Sequence, residues 1–216
     1  MSQSLSGSVK RIWYAGYGSN LSRSRFMCYI AGGRAPGSRN ADPGCRDKTP
    51  PLDDKPISLD FEFYFAHYLE DWGGATAYLR RSQSAVALGR MYLIGDDQFN
   101  DVVAQEDSKP VDGTRVLPSF EELLAGREYA LPGNPLYGAL KRVDVQSEHP
   151  VWTFTTNRNL QINTPGESYV KVIAAGLKET YPSMTHQEIC EYLAHAEGMK
   201  DRIATNVLAV WVRDAG

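Results

Sequence analysis

The chain has 216 residues, of which 42% are apolar and 23% charged, and its formal net charge at pH 7 is −3. This length and composition allow one sizeable core, which excludes a disordered or fibrous protein and predicts a single domain over residues 1–216. No apolar stretch approaches the roughly 20 residues that span a bilayer, and residues 1–10 lack a signal-peptide pattern. We therefore expect neither insertion into a membrane nor secretion.

Positive charge is mildly enriched in the first 60 residues, which hold nine Lys and Arg against five Asp and Glu. The arginines there are scattered, and we expect them on solvated faces or loops: Arg23, Arg25, Arg34, Arg39 and Arg46. Nucleic-acid binders concentrate basic residues to neutralise phosphates. The sequence therefore predicts no nucleic-acid partner.

The three cysteines, Cys28, Cys45 and Cys190, are far apart and contain no CxxC pair. An odd number at such spacing predicts neither a disulfide framework nor a zinc site. A reducing compartment suits these thiols best, so we expect a cytoplasmic protein.

The first strand is predicted at residues 9–16, a β-branched and aromatic run that ends in glycine. Ser22 offers an N-cap for a helix that ends at Gly32. Residues 31–56 are dense in Gly, Pro, Asp and Arg, which predicts a long surface loop of the kind that is often functional. Residues 57–65 alternate apolar with polar side chains and predict one strand with a buried face.

The remaining elements are predicted in chain order as follows. We expect strands at 75–79 and 84–94 joined as a hairpin, then a short helix from Asp96 to Glu106 and a helical turn or two near Phe120. Strands are predicted at 140–145 and 151–155, and a helix at 169–179. A further helix follows a Thr185–Glu188 capping box, and the apolar segment 203–212 fits either helix or strand. Strands precede helices without regular alternation. This order predicts an α+β fold around a mixed or antiparallel sheet, in the form of a small barrel with flanking helices.

A glycine-rich turn, Gly16-Tyr17-Gly18-Ser19-Asn20, joins the first strand to the first helix. A dinucleotide fingerprint would need glycine at position 21, where Leu21 stands, and the GxSxG pattern of serine hydrolases is absent. Such a turn presents a row of backbone N–H groups that favours an anion or a developing oxyanion. A plain turn, with Asn20 in a left-handed conformation, fits the same residues.

The segment Tyr17-Gly18-Ser19-Asn20-Leu21 resembles the YGSNL signature of the gamma-glutamyl cyclotransferase-like family. Further matches follow in the family's order: Trp72-Gly73-Gly74-Ala75-Thr76, Gly89 with Tyr92, Gln105-Glu106, and Ser168-Tyr169. Together they extend over nearly the whole chain, from about residue 12 to residue 177. The resemblance implies the family's small mixed β-barrel with flanking helices.

The resemblance also implies an activity, the intramolecular aminolysis of a γ-glutamyl group. The free α-amine attacks the γ-carbonyl carbon, 5-oxoproline forms, and the attached amine or amino acid leaves. No metal and no organic cofactor is implied, and the partner is a small-molecule γ-glutamyl compound of the kind found in glutathione metabolism. The oligomeric state stays open.

The reaction requires one group that accepts and then returns a proton. The α-ammonium, with an ordinary pKa of about 7.7 to 8.0, must be deprotonated, and the departing amine must be protonated. The resemblance assigns this general acid/base role to Glu106, which would need a raised pKa. Asp107 is a less suitable base because helix neighbours point about 100° apart. Without the resemblance, we would interpret Glu106 and Asp107 as a solvated acidic pair at the end of a helix.

The resemblance implies two further parts of the site. The residues Tyr17, Gly18, Ser19, Asn20 and Leu21 would hold the glutamyl carboxylate and the γ-carbonyl oxygen through backbone N–H groups. Tyr169 would border the glutamyl pocket, where its hydroxyl could hydrogen-bond the substrate or Glu106. A helix aromatic that packs on the core is the alternative interpretation of Tyr169.

The chain departs from the family pattern in two respects. Phe154 stands where many members carry a further pocket tyrosine, and two segments, near 32–56 and 108–150, look longer than in compact members. We expect these insertions, with Tyr129 and Tyr137 among their aromatics, to decide which amine is accepted. Two alternatives remain open, a tailoring enzyme that removes a γ-glutamyl group from a biosynthetic intermediate and a non-catalytic module that binds a small carboxylate.

Overall fold

A computed structural model of the protein describes residues 10–133 and 136–215. Its strands are β1 Arg11–Gly16, β2 Asp53–Leu59, β3 Phe61–Leu69, β4 Gly74–Arg81, β5 Ala87–Gly95, β6 Glu128–Ala130, β7 Ala139–Gln146 and β8 His149–Thr155. Its helices are α1 Arg23–Ala31, α2 Asp96–Glu106, α3 Phe120–Ala125, α4 Glu167–Thr180, α5 His186–His195 and α6 Thr205–Arg213. None of these helices is long and apolar enough to cross a bilayer.

Six of the strands form one mixed sheet, in the order β2-β5-β1-β8-β7-β6, and β3 pairs with β4 in a separate antiparallel hairpin. In the centre, β1 runs antiparallel to β5 and parallel to β8. The predicted α+β class is confirmed. The barrel is not confirmed, because the described strands form two sheets and not one closed ring.

Both faces of the six-stranded sheet are buried, since successive residues of a strand point to opposite faces. Trp13 packs with the apolar residues of α4, including Ile173, whereas Tyr14 packs with Phe26 of α1 and Phe99 of α2. After Arg11 the central strand β1 is therefore apolar, without the polar alternation of a sheet with one wet face.

A side chain links the two sheets where backbone pairing is absent. The Thr155 hydroxyl, at the end of β8, accepts a hydrogen bond from the Leu79 amide at 2.9 Å and donates one to the Leu79 carbonyl at 3.0 Å. Threonine thus satisfies the outward-facing backbone groups of β4 without a strand ladder. The opening beside this junction becomes the cavity described below.

The alternating segment 57–65 is two strands, and the prediction of one strand was wrong. The chain breaks at Asp60, after which β3 leaves the large sheet that β2 has joined through β5. A one-residue break preserves the period of two, because Leu59 and Phe61 are both buried on either side of it. The pattern therefore continues across a change of sheet.

The predicted hairpin of residues 75–79 and 84–94 was also wrong. Strand β4 pairs with β3 through a turn in which Gly73 has φ 62°, and β5 pairs with β1 and β2. Strand propensity does not specify the partner, which is fixed by register and burial.

The segment predicted as a long surface loop, 31–56, is attached to the protein at several points. Its last residues begin β2, the Cys45 amide donates to the Ile30 carbonyl at 3.0 Å, and the Gly44 amide donates to the Gln105 side chain at 3.1 Å. Side chains of α2 thus satisfy backbone groups of the segment.

The ends of three helices match or extend the sequence predictions. The Ser22 cap and the Thr185–Glu188 capping box are confirmed, and 203–212 is helical in α6. Asp96 is the first residue of α2 and not its cap, which is Gly95. All three cysteines are free thiols.

Thr155→Val tests the link between the sheets. Valine keeps the shape of threonine but leaves the Leu79 N–H and C=O without partners in a buried setting, so the free energy of unfolding should fall by about 2–4 kcal/mol. Thr156→Val is the matched control, because the Thr156 hydroxyl only accepts from the Arg158 amide of the next turn, and it should cost less than about 1 kcal/mol. Urea unfolding measures both, and equal losses would contradict the link.

Candidate active site

A cavity of about 270 Å³ lies beside the junction of the two sheets. The turn after β1, helix α1, the end of α2, strand β4 and helix α4 all contribute to its wall. Six residues singled out from the sequence line this one cavity: Tyr17, Gly18, Ser19, Asn20, Glu106 and Tyr169. The fold thus brings together residues that are widely separated along the chain.

Leu21, the seventh predicted site residue, lies elsewhere. Its side chain is fully buried in the core beneath α4, and its amide donates to the Gly18 carbonyl at 3.0 Å. The backbone group that the prediction assigned to the ligand is therefore already used within the turn. Leu21 anchors the turn and does not line the cavity.

The turn itself is one short 3₁₀ segment, Ser19–Leu21, preceded by Gly18. A Cβ atom at Gly18 would lie 2.8 Å from the Tyr169 hydroxyl oxygen and 3.1 Å from the Ala77 Cβ. Only glycine permits this close approach of the turn to both α4 and β4. The Tyr17 hydroxyl extends to the neighbouring strand β8 and donates to the Phe154 carbonyl at 3.0 Å.

Tyr169 both packs in the core and lines the cavity. Its ring packs against Trp72 at 4.9 Å between centroids, and its hydroxyl accepts from the Ala77 amide at 3.2 Å and lies beside Ser19. Burial raises the pKa of this hydroxyl, which therefore stays protonated. Because its oxygen accepts from the backbone, its hydrogen is available to a ligand oxygen.

Glu106 is the last residue of α2 and is half-buried in the cavity wall. Burial raises the pKa of its carboxyl group, and the negative charge of Asp42 adds to the rise. Hydrogen bonding from Tyr29 and Asn20 and the positive charge of Arg25 act in the opposite direction. The next residue, Asp107, lies outside the cavity lining, with its carboxylate 2.5 Å from the Lys109 ammonium.

Arg25 was predicted on a solvated face, and this prediction was wrong. The residue is 5% exposed and lines the cavity, with its Nη1 donating to the Asp42 carboxylate at 2.5 Å and its guanidinium carbon 4.1 Å from the centre of the Tyr29 ring. Arg25 and Tyr29 are four residues apart on α1 and so share one helix face. That spacing is the sequence signal that could have identified the pair.

The first insertion forms part of the cavity wall. Asp42 and Gly33 exchange two backbone hydrogen bonds, at 3.0 and 2.7 Å, and Asn40 also lines the cavity. The Asp71 carboxylate accepts from the amides of Arg39 and Asn40 at 2.8 and 2.7 Å. Asp71 thus fastens this segment to the turn that contains Trp72.

The second insertion contributes Tyr137, which meets the Phe154 ring edge-on at 5.7 Å and lines the same cavity. Phe154 also stacks on Tyr14 at 5.1 Å. Tyrosine rings on neighbouring elements therefore pack against the phenylalanine that stands where a pocket tyrosine was expected. Tyr129 lies elsewhere, with its hydroxyl donating to the Glu122 carbonyl at 2.5 Å.

Metal-binding residues were sought in the described parts of the chain. Within residues 10–133 and 136–215, no three His, Cys, Asp or Glu side chains are grouped so that they could hold a metal ion.

Glu106→Gln tests the raised pKa of the carboxyl group through protein stability. Because the folded state binds this proton more tightly than the unfolded state, the free energy of unfolding falls as pH rises from about 4.3 through the higher folded pKa. The variant lacks this loss, so its thermal midpoint should exceed that of the wild type at pH 7.5, with the difference vanishing below pH 4.

Glu62→Gln is a control of opposite sign for this measurement. The Arg80 guanidinium holds the pKa of Glu62 below its usual range, so its ionised form stabilises the folded state at neutral pH. Its replacement should lower the midpoint at pH 7.5. A Glu106→Gln midpoint below that of the wild type at this pH would contradict a raised pKa for Glu106.

Comparisons with known proteins identify the fold. No family model matches the chain. A curated protein, "Histone deacetylase 5" of Arabidopsis thaliana, is 28% identical over 187 residues, which cover 78% of this chain and 28% of that protein. The chain therefore spans little more than a quarter of this relative's length.

Two solved structures cover nearly all of this chain. A structure named "Gamma-glutamyl cyclotransferase" matches 94% of this chain and 99% of its own with a TM-score of 0.50 and 14% identity. A human protein described as uncharacterized matches 94% and 98% with a TM-score of 0.51 and 14% identity. The chain thus has the mixed α+β fold of gamma-glutamyl cyclotransferase.

Proposed function

We propose that this chain cyclises the γ-glutamyl group of a small amide or peptide, which yields 5-oxoproline and the free amine or amino acid. The observation that carries the proposal is the meeting of Glu106, the turn at 17–20 and Tyr169 in one cavity. A carboxyl group with a raised pKa stands there opposite a turn of backbone amides. These are the two components that the aminolysis requires.

Glu106 would act as the proton carrier. Its carboxylate takes a proton from the α-ammonium, and the freed nitrogen lone pair forms the bond to the γ-carbonyl carbon. The neutral carboxylic acid gives this proton to the departing nitrogen as the amide bond breaks. The regenerated carboxylate then takes the second proton that the ring nitrogen must lose to become the lactam N–H, and it passes this proton to the released amine, which leaves as its ammonium ion. Burial favours this cycle because it raises the pKa of Glu106 toward that of the ammonium it must deprotonate.

The turn would stabilise the negative charge that develops on the γ-carbonyl oxygen during attack. Backbone amides at 17–20 are fixed by the Gly18 contact with Tyr169, so they need no reorganisation as charge develops. The Tyr169 hydroxyl, which accepts from the Ala77 amide, has its hydrogen free to donate to the same oxygen.

The alternatives differ in substrate or in turnover. A tailoring enzyme would use the same residues but accept only a larger amine, and a binding module would hold a small carboxylate without converting it. The name of the plant relative describes a protein more than three times as long as the matched segment, so its activity is not carried over. A broad panel of γ-glutamyl compounds separates these alternatives.

Glu106→Gln should lower kcat/KM for 5-oxoproline release about 10²- to 10⁴-fold, the usual contribution of a general acid/base. Asp107→Asn is the matched control, because its carboxylate lies outside the cavity and pairs with Lys109, and it should retain activity within about threefold. The assay is 5-oxoproline formation from γ-glutamyl amino acids, γ-glutamylamines and glutathione. Wild-type inactivity across the panel, or an active Glu106→Gln variant, would refute the proposal.

Tyr169→Phe should reduce kcat/KM by about 10- to 10³-fold, since it removes one donor to the developing oxyanion. Tyr192→Phe provides the control, because the Tyr192 hydroxyl also accepts from a backbone amide, that of Leu88 at 3.0 Å, but lies outside the cavity. Both variants lose a similar structural bond, and only the first should lose activity. Equal kcat/KM values would assign Tyr169 a packing role alone.

A further inference from the structure

The polar wall of the cavity contains one strongly basic side chain that the proposed reaction has not used. Among the described lining residues, Asp42, Asp71 and Glu106 carry acidic groups and Arg25 carries the single guanidinium or ammonium group. A γ-glutamyl substrate brings an α-carboxylate with a full negative charge into this space. Such a charge needs a cationic or N–H partner once it leaves water.

Arg25 has hydrogen-bond donors that no oxygen atom of the described residues accepts. Within the described chain, its guanidinium makes one hydrogen bond, from Nη1 to Asp42, and Nε is buried without a hydrogen-bond partner. The thiol of Cys28 lies beside the guanidinium, but a thiol is a weak acceptor. Because Nε is enclosed by protein atoms, a substrate carboxylate would bind at Nη2, which donates to no oxygen atom of the described residues.

The guanidinium is fixed in place before any ligand binds. Asp42 holds it at one end at 2.5 Å, and the Tyr29 ring lies beneath it at 4.1 Å. Asp42 is itself held by its two backbone hydrogen bonds to Gly33. An arginine held in this way loses little side-chain freedom when it binds an oxygen acceptor.

The position of Arg25 relative to Glu106 fits the geometry of the glutamyl group. The ammonium and the carboxylate of the substrate are attached to the same carbon, so their partners must be neighbours in the wall. Tyr29 contacts both residues: its hydroxyl interacts with the Glu106 carboxyl group, and its ring lies against the Arg25 guanidinium. Glu106 and Arg25 thus lie on the same part of the cavity wall, as partners for two groups on one carbon must.

We propose that Arg25 binds the α-carboxylate of the γ-glutamyl substrate. Arg25 thereby selects substrates in which this carboxylate is ionised and carries no amide or ester group. The inference rests on the proposed function. It revises the expectation that the turn holds both the carboxylate and the γ-carbonyl oxygen. The turn at 17–20 then serves the γ-carbonyl oxygen, and Asp42 is the positioning residue for Arg25.

The test compares two substrates that differ only at the α-carbon. One is a γ-glutamyl amide with a free α-carboxylate, and the other carries an α-carboxamide with the same α-amine and the same leaving amine. Wild-type kcat/KM should favour the free acid about 10- to 100-fold, the range for a charged hydrogen-bonded pair. In Arg25→Gln this preference should shrink to within about threefold, and Arg25→Lys, which keeps the charge without the planar fork, should give an intermediate ratio.

Arg23→Gln is the matched control for this comparison. Arg23 is two residues earlier on the same helix and pairs with Asp54 at 3.2 Å, outside the cavity lining. Its acid-to-amide preference should equal that of the wild type. An unchanged acid-to-amide preference in Arg25→Gln would overturn the inference. It would also be overturned if Arg25→Gln changed only the preference between leaving amines that carry a carboxylate and leaving amines that do not, because Arg25 would then contact the leaving group.

A binding measurement separates this inference from the proposed function and does not depend on a folded variant. Wild-type protein is titrated with 5-oxoproline and with its carboxamide, and the thermal midpoint is recorded. Stabilisation by the acid that exceeds stabilisation by the amide at equal concentration supports Arg25 as the carboxylate partner, whether or not turnover is found. Equal stabilisation, or none by either compound, would overturn it.

Discussion

The close packing of helix α4 against the turn that follows β1 is the constraint on which the rest of the site depends. Gly176 on this helix faces Leu21 and Ser22 so closely that a Cβ atom would overlap their backbone atoms. Nearer the start of the same helix, the Tyr169 hydroxyl lies against Gly18 and accepts a hydrogen bond from the Ala77 amide. Two glycines, one on each side, thus set the distance between helix and turn.

This contact determines the direction of the exposed backbone groups. Leu21 is buried with its amide bonded within the turn, whereas the residues at 17–20 that precede it line the cavity. Fixed dipoles of this kind stabilise developing charge without the cost of reorienting water.

Burial determines the electrostatics of the charged residues Arg25 and Glu106 in the cavity wall. Arg25 is nearly inaccessible, so its charge requires partners, and Asp42 supplies one on a segment that α2 and the Asp71 side chain hold in place. The same burial raises the pKa of Glu106, while Arg25 limits that rise. The charges of Glu106 and Arg25 are thus coupled through one low-dielectric wall.

The open junction between the sheets gives the cavity its space. The Thr155 hydroxyl at the end of β8 satisfies Leu79 of β4, and the neighbouring Ala77 amide donates to Tyr169. Residues from both insertions, Asp42 and Tyr137, then complete the lining. Irregular segments thus serve as walls around a regular sheet.

The sequence by itself determined the elements with strong local signals. The Ser22 cap, the Thr185–Glu188 capping box, the strand that ends in Gly16 and the helix that ends at Glu106 all depend on neighbouring residues, and each is present. Ordered motifs also pointed to Tyr17, Gly18, Ser19, Asn20, Glu106 and Tyr169, which line one cavity.

Only the tertiary structure decided which strands pair, which side of Asp60 belongs to which sheet, and where the arginines lie. Pairing and burial depend on contacts between distant residues, and the local pattern at 57–65 is the same for one strand as for two. Arg25 and the exposed Arg81 are the same residue type, yet one lines the cavity and the other lies at the surface. The difference arises from the surroundings that the fold provides, since burial and partners set the electrostatics of a charged group.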